Sequence, residues 1–134
     1  MDSRLLPTAK EAMARAYARY SEFQVGAAIL AENGRIYSGC NVENAAYPLG
    51  SCAEAGAIAA MVQDGARRIR EIAIIGGKHG VAGEICPPCG GCRQRIREFA
   101  DETTRIHLVD GSGACMTFGC DALLPHSFGP GHVK

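Results

Sequence analysis

The sequence lacks most of what would tie it to a membrane or a nucleic acid. No apolar run approaches the roughly 20 residues needed to cross a bilayer. There is no basic surplus: Lys plus Arg number 14 against 14 Asp plus Glu, for a net charge of zero. Proteins that follow a phosphate backbone usually carry a clear positive excess. Aromatic residues make up only 6%, which leaves few platforms on which unpaired bases would stack. The opening MDSRLLPTAKEA has no long apolar segment leading to a small-residue cleavage site. A soluble, cytoplasmic protein is expected, with neither a membrane nor a polymeric nucleic acid as partner. Internal repeats, low-complexity tracts and breaks in composition are also missing. A length of 134 residues suits one domain, taken as 1–134. The four histidines have no paired spacing that suggests a ligand set, and GGKHG (Gly76 to Gly80) lacks the G-x-x-x-x-G-K-[ST] pattern of a phosphate loop.

What the chain does have is cysteine, seven in all. In a reducing compartment, an odd number of cysteines points to metal ligands, catalytic groups or free thiols rather than disulfides.

Periodicity supplies the frame around them. Thr8-Ala-Lys-Glu11 has the form of a capping box, so a first helix is expected from Thr8. Ala9, Ala12, Met13, Ala16, Tyr17 and Tyr20 would share its buried face. VGAAILA and RIYSGC flank Glu32-Asn33-Gly34, a hairpin turn between antiparallel strands. SCAEAGAIAAMVQDG reads as a helix with Ser51 at its N-cap, Ile58, Met61 and Val62 facing the core, and Gly65 as its stop. EIAIIGG, from Glu71, reads as a short buried strand. CRQRIREFA reads as a helix with Cys92, Ile96 and Phe99 on one face. TRIHLVD and ACMTFGC complete the strands, with a short helix near DALLPHSF. The basic runs ARRIR and RQRIR are expected on solvated helix faces or ends. This alternation argues for an α/β fold, a mixed sheet with helices packed on it.

CPPCGGC (Cys86 to Cys92) holds two overlapping C-x-x-C pairs. Pro87 and Pro88 stiffen the first and remove its N–H groups. Gly90 and Gly91 let the second fold tightly, with Pro88 leading into a helix. Cys89 and Cys92 are therefore the better pair, placed at a helix N-terminus where the dipole favours thiolate. Two ligands do not hold zinc, and no second, separate C-x-x-C completes a four-cysteine site. Cys52, also at a helix start, is the best third ligand. Three protein ligands leave the fourth tetrahedral position open, the arrangement of catalytic zinc.

Glu54 lies two residues beyond Cys52. In mid-helix that spacing points side chains apart, but at the first turn both can reach beyond the helix end. Glu54 then has two readings: proton carrier for water chemistry, or the last member of a Ser51-x-x-Glu54 capping box. Three cysteines positioned nearby favour the proton carrier.

Taken together, these residues resemble the zinc nucleoside deaminases, and most closely the small homotetrameric cytidine deaminases. The resemblance rests on Cys52-Ala53-Glu54 and Pro88-Cys-Gly-Gly-Cys-Arg-Gln94. It is extended by Tyr20-Ser-x-Phe-x-Val-Gly-Ala-Ala28, Gly39-Cys-Asn-Val-Glu-Asn44 and Leu123-Leu-Pro-x-x-Phe128, in order along nearly the whole chain. It implies a three-layer α-β-α sandwich with about five strands. One Zn2+ per subunit would be held by Cys52, Cys89 and Cys92. The implied reaction is hydrolytic deamination of cytidine and deoxycytidine in pyrimidine salvage, with Glu54 carrying the proton. Asn41 and Glu43 would hold ribose hydroxyls, Phe23 would pack on the nucleoside, and the backbone near Ala53 and Cys89 would contact the base. Tyr47 and Phe128 would reach into a neighbouring subunit's pocket of the homotetramer. On residue type alone, Asn41 would be a strand-end turn former and Phe23, Tyr47 and Phe128 ordinary packing residues.

One departure stands out. Three thiolates on a divalent ion leave a net charge of minus one, and family members with this ligand set often place Arg directly after the Glu. Here that position is Ala55. The compensation is expected from the two helix N-termini, from N–H groups of Gly90-Gly91, and from Arg93. Cys40, Cys86, Cys115 and Cys120 are expected as buried or free thiols. Two rivals make contrary expectations: a closed zinc module would recruit Cys40 or Cys86 as fourth ligand, and a thiol redox protein would bind no metal.

Overall fold

The computed structural model describes residues 1–133. Its elements run α1 (Leu5–Ala14), β1 (Phe23–Ala31), β2 (Ile36–Cys40), α2 (Ala53–Gln63), β3 (Ile69–Lys78), α3 (Gly90–Glu98), β4 (Arg105–Val109), β5 (Cys115–Phe118) and α4 (Cys120–Leu123). The strands form one sheet in the order β2-β1-β3-β4-β5. β3 and β4 are parallel and every other neighbouring pair is antiparallel. A parallel pair needs a crossover, and α3 supplies it.

Strand alternation divides the apolar residues between two cores. Ala27, Ile29, Ile72, Ile74, Ile106 and Leu108 face α2 and α3, where they meet Ala57, Met61 and Ile96. Ala28, Leu30, Ala73, Ile75 and Val109 face the other way, onto Leu5, Ala9 and Met13 of α1. The three-layer α-β-α arrangement implied by the resemblance is what these two cores build. β3 is buried from Ile72 through Gly77, as expected of a central strand covered on both sides.

The first helix differs from expectation at both ends. It starts at Leu5, with Arg4 at the N-cap and no side-chain cap, and Thr8 N–H already donates to Arg4 O. Pro7 sits within the first turn, where its missing N–H costs nothing, and burial of Leu5 in the α1 core rewards the earlier start. The helix ends at Ala14, so Ala16, Tyr17 and Tyr20 do not extend its buried face. Tyr17 instead exchanges backbone bonds with Asn41 and Glu43. This extra pairing of the chain outweighs the helical periodicity.

The hairpin turn falls where it was expected, but Gly34 alone takes positive φ, at +80°, and Asn33 does not. β3 runs two residues upstream of Glu71, to Ile69. ARRIR is not a helix end: Ala66 to Arg68 follow α2 as loop, and Ile69 and Arg70 belong to β3. Ser51 lies two positions before α2. Its backbone pairs with Val42, while Cys52 occupies the N-cap.

Candidate active site

Two helix N-termini build the site. Cys52 is the N-cap residue of α2 and Cys89 the N-cap residue of α3, both with extended backbone. Cys92 follows in the first turn of α3, fully buried. α2 is brought close to the sheet at Gly39 of β2, where a Cβ would lie 2.4 Å from both Ala53 O and Ala57 N. Only glycine admits that approach, which carries Cys52 and Glu54 toward α3.

The three sulfurs lie within 4.8 Å of one another, and Cys52 Sγ is 3.9 Å from Cys89 Sγ. A tetrahedral zinc with Zn–S bonds of about 2.3 Å sets its sulfurs roughly 3.8 Å apart. The donor set and its spacing therefore fit zinc. No other Cys, His, Asp or Glu joins the cluster among the described residues, so neither Cys40 nor Cys86 closes it. All seven cysteines are free thiols.

The sulfurs differ electrostatically. Burial pushes the Cys92 and Cys52 thiols up from their ordinary range, and the nearby Glu54 charge adds to this. Cys89 is lowered, chiefly because the Cys92 backbone N–H bonds its sulfur. The backbone donor that reaches Cys89 thus belongs to Cys92, one step beyond the Gly90-Gly91 segment. Metal binding must expel the protons from these thiols.

Glu54 lies in the first turn of α2 and is only 4% exposed. Burial raises its carboxyl above the usual range, and Arg95 pulls the other way. The capping-box reading fails on register: the N-cap is Cys52, and α2 has no side-chain cap.

Beside the sulfurs opens a cavity of about 370 Å³ lined by Phe23, Asn41, Glu43, Tyr47, Glu54 and Cys89, with Cys52, Ala53 and Cys86 also on its wall. A second depression of about 330 Å³ adjoins it across Glu43, Tyr47 and Gly50. Asn41 is locked by β1: its Oδ1 accepts from Val25 N–H and its Nδ2 donates to Phe23 O, each at 2.8 Å. Glu43 Oε1 accepts from the Tyr20 and Ser21 N–H groups at 2.9 and 3.0 Å, and Ser21 Oγ donates to Oε2. These bonds hold the Glu43 carboxyl below its usual range. Ser21 in this supporting role escaped the reading of the sequence. Tyr47 stands 75% exposed at the rim of its own chain's cavity. Phe128 does not reach that cavity. It is 60% exposed and stacks on His132, while its carbonyl accepts from Gln94 Nε2 of α3.

The expected helper Arg93 is committed elsewhere. Its guanidinium donates to Pro88 O and Leu123 O, both at 2.8 Å. Arg95, which sequence reading passed over, instead reaches the metal site with Nη1 3.7 Å from Cys92 Sγ. The signal available was its i,i+3 spacing from Cys92 on one helix.

A sheet flanked by helices, two of which aim their N-termini at an incomplete trithiolate set beside a buried carboxylate, defines a zinc hydrolase. Residues 1–108 match the family described as the cytidine and deoxycytidylate deaminase zinc-binding region, and the chain belongs to that family. It is 40% identical over 125 residues to the cytidine deaminase of Sporosarcina psychrophila, covering 93% of this chain and 89% of the relative. It is 39% identical over 121 residues to that of Mycobacterium tuberculosis, covering 90% and 84%. The crystal structure of cytidine deaminase from Burkholderia pseudomallei superposes with a TM-score of 0.85 at 38% identity, covering 96% of this chain and 99% of that one. Cys52, Cys89 and Cys92 give each subunit one zinc site.

Proposed function

We propose that this chain catalyses hydrolytic deamination of cytidine to uridine with release of ammonia, and of deoxycytidine to deoxyuridine in the same site. The observation that carries the reading is the buried Glu54 beside three convergent cysteines that leave one metal position free. Bound zinc supplies Lewis acidity that brings the pKa of water down toward about 7. Glu54 does the proton work. Its carboxylate accepts a proton from the attacking water and delivers it to the ring nitrogen beside the amino-bearing carbon. The carboxylate then takes the proton of the new hydroxyl on the tetrahedral carbon and passes it to the amino group, so that the C–N bond breaks, ammonia leaves and the carbonyl of the product forms. Its raised affinity for protons, caused by burial, suits a group that must hold one near neutrality.

The rest of the cavity wall supports a nucleoside. Asn41 and Glu43 are pre-oriented by their backbone bonds, and each retains lone pairs or a proton for ribose hydroxyls. Phe23 offers an apolar wall to the nucleoside, and the free N–H groups of the α2 first turn, from Ala53 onward, face the base. The exposed Phe128 and Tyr47 suit a homotetramer in which they reach a neighbour's pocket. No helix among the described residues is long and apolar enough to cross a membrane, and cytoplasmic pyrimidine salvage by residues 1–134 as one catalytic unit is the setting this reading implies.

The direct test adds cytidine to the purified protein and follows both its ultraviolet conversion to uridine and the ammonia released, with zinc assayed in the same sample. Glu54→Ala should keep the metal and lose turnover; full activity in that variant would refute the reading. For the shared pocket, Glu54→Ala protein mixed with Phe128→Ala protein under subunit exchange should recover activity that neither has alone. Lack of recovery would confine Phe128 to its own subunit.

A further inference from the structure

Arg95 projects from the last turn of α3 and is solvent-exposed. Among the described residues it has no carboxylate partner, and its hydrogen-bond contact is Cys92 Sγ, 3.7 Å from Nη1. Its neighbours on the helix are otherwise occupied: Arg93 holds Pro88 O and Leu123 O, and Arg97 donates to Ser127 Oγ at 2.8 Å. A guanidinium left without a carboxylate and aimed at a sulfur needs an explanation, because exposed arginines gain more from water or an acid than from a neutral thiol.

The local backbone permits this approach. A Cβ at Gly91 would come within 3.2 Å of Arg95 Nη1, so the bare backbone of Gly91 leaves the lane along which the guanidinium approaches Cys92. Cys92 is the fully buried sulfur of the three and so the one whose negative charge water can least stabilise.

We infer that Arg95 is the positioning residue that offsets the surplus negative charge of the zinc trithiolate, acting through Cys92 from helix α3 in place of the position after Glu54, which is Ala55. Arg95 is not among the residues that line the cavity beside the sulfurs. Its charge stabilises the thiolate form of Cys92 and restrains the electron donation that would blunt the Lewis acidity of the metal. This assignment rests on the zinc hydrolase reading above but has a readout that needs no turnover.

The experiment compares the zinc-loaded protein with Arg95→Gln and Arg95→Lys, variants of an exposed side chain that leave the core untouched. Zinc loss to a competing chelator is followed with a chromogenic indicator. Arg95→Gln should release zinc about tenfold faster, the scale on which groups supporting a metal's ligands act, while Arg95→Lys, which retains the charge, stays close to the native rate. With cytidine, Arg95→Gln should lower kcat by about the same factor and leave KM within about twofold. Native zinc retention in Arg95→Gln, or equal impairment of the Lys and Gln variants, would overturn the assignment. If the native chain does not turn over cytidine, the zinc arm still decides the role of Arg95, so the two readings fail separately.

Discussion

Cys52 and Cys89 are 37 positions apart in the chain, yet their sulfurs lie 3.9 Å from each other. Each is the N-cap residue of its helix, so an ion held between them fastens α2 to α3. Metal binding in such a site is also folding free energy. Stripping the zinc should therefore lower the melting temperature by roughly 5 °C or more, measured calorimetrically before and after chelation. An unchanged melting temperature would mean that the two helix ends are held without the metal.

The ligand assignment separates the cysteines sharply. Cys92→Ser should abolish stoichiometric zinc, because a buried hydroxyl is a poor replacement for a thiolate at this ion. Cys115→Ala, an exposed position on β5, should leave zinc at one per subunit. Zinc analysis of both purified proteins checks the set, and retained metal in Cys92→Ser would refute it.

Glu54 predicts a pH dependence in the metal-free protein. Burial raises its folded pKa above the ordinary carboxyl range, so the fold disfavours the carboxylate. The resulting loss of stability is absent below the unfolded value. It grows as pH rises toward and through the folded value, since there the folded state holds a proton that the unfolded state has released. Metal-free Glu54→Gln should then be more stable than metal-free native protein at pH 7, with the gap closing toward pH 4. Urea titrations at the two pH values measure it, and a gap that widens on acidification would contradict the burial argument.

Gly39 tests how the site is assembled. A methyl group there meets Ala53 O and Ala57 N at 2.4 Å, both backbone atoms of α2 that cannot rotate aside. Gly39→Ala should cost about 1–3 kcal/mol of stability by overpacking. Because the first turn of α2 carries Cys52 and Glu54, it should also weaken zinc retention. A variant that keeps native stability and metal would show that α2 has slack at this point.

A buried threonine gives a prediction away from the site. Thr104 Oγ1 is inaccessible, donates to Ile69 O at 2.7 Å and accepts from Asp101 N–H at 3.0 Å, joining the starts of β3 and β4. Thr104→Val should lose about 1–3 kcal/mol in urea unfolding, since the buried Ile69 carbonyl and the partly buried Asp101 N–H lose their partner. A change within about 0.5 kcal/mol would indicate that both groups find new partners.

Much of this was legible in one dimension because the physics involved is local. Gly34 encodes the hairpin turn through its positive φ, Pro87 and Pro88 exclude the first C-x-x-C, and strand alternation separates Ala27 and Ile29 from Ala28 and Leu30. The choice of Cys89, Cys92 and Cys52, and the nomination of Glu54, needed only helix-start geometry and ligand chemistry. The boundaries of α1 were not legible. Thr8 carries a valid local signal, but burial of Leu5 and the pairing of Tyr17 with Asn41 and Glu43 are long-range gains that a capping rule does not weigh.

The sequence alone determined the alphabet of the site: three sulfurs, a carboxylate and the glycines and prolines that shape the backbone around them, since residue chemistry and turn preference act over a few positions. Only the tertiary structure decided the company these groups keep. It buried Glu54, drew Cys52 to Cys89 across 37 positions, sent Arg93 to carbonyls and turned Arg95 toward Cys92. Burial and charge are properties of neighbours in space, and folding alone chooses those neighbours.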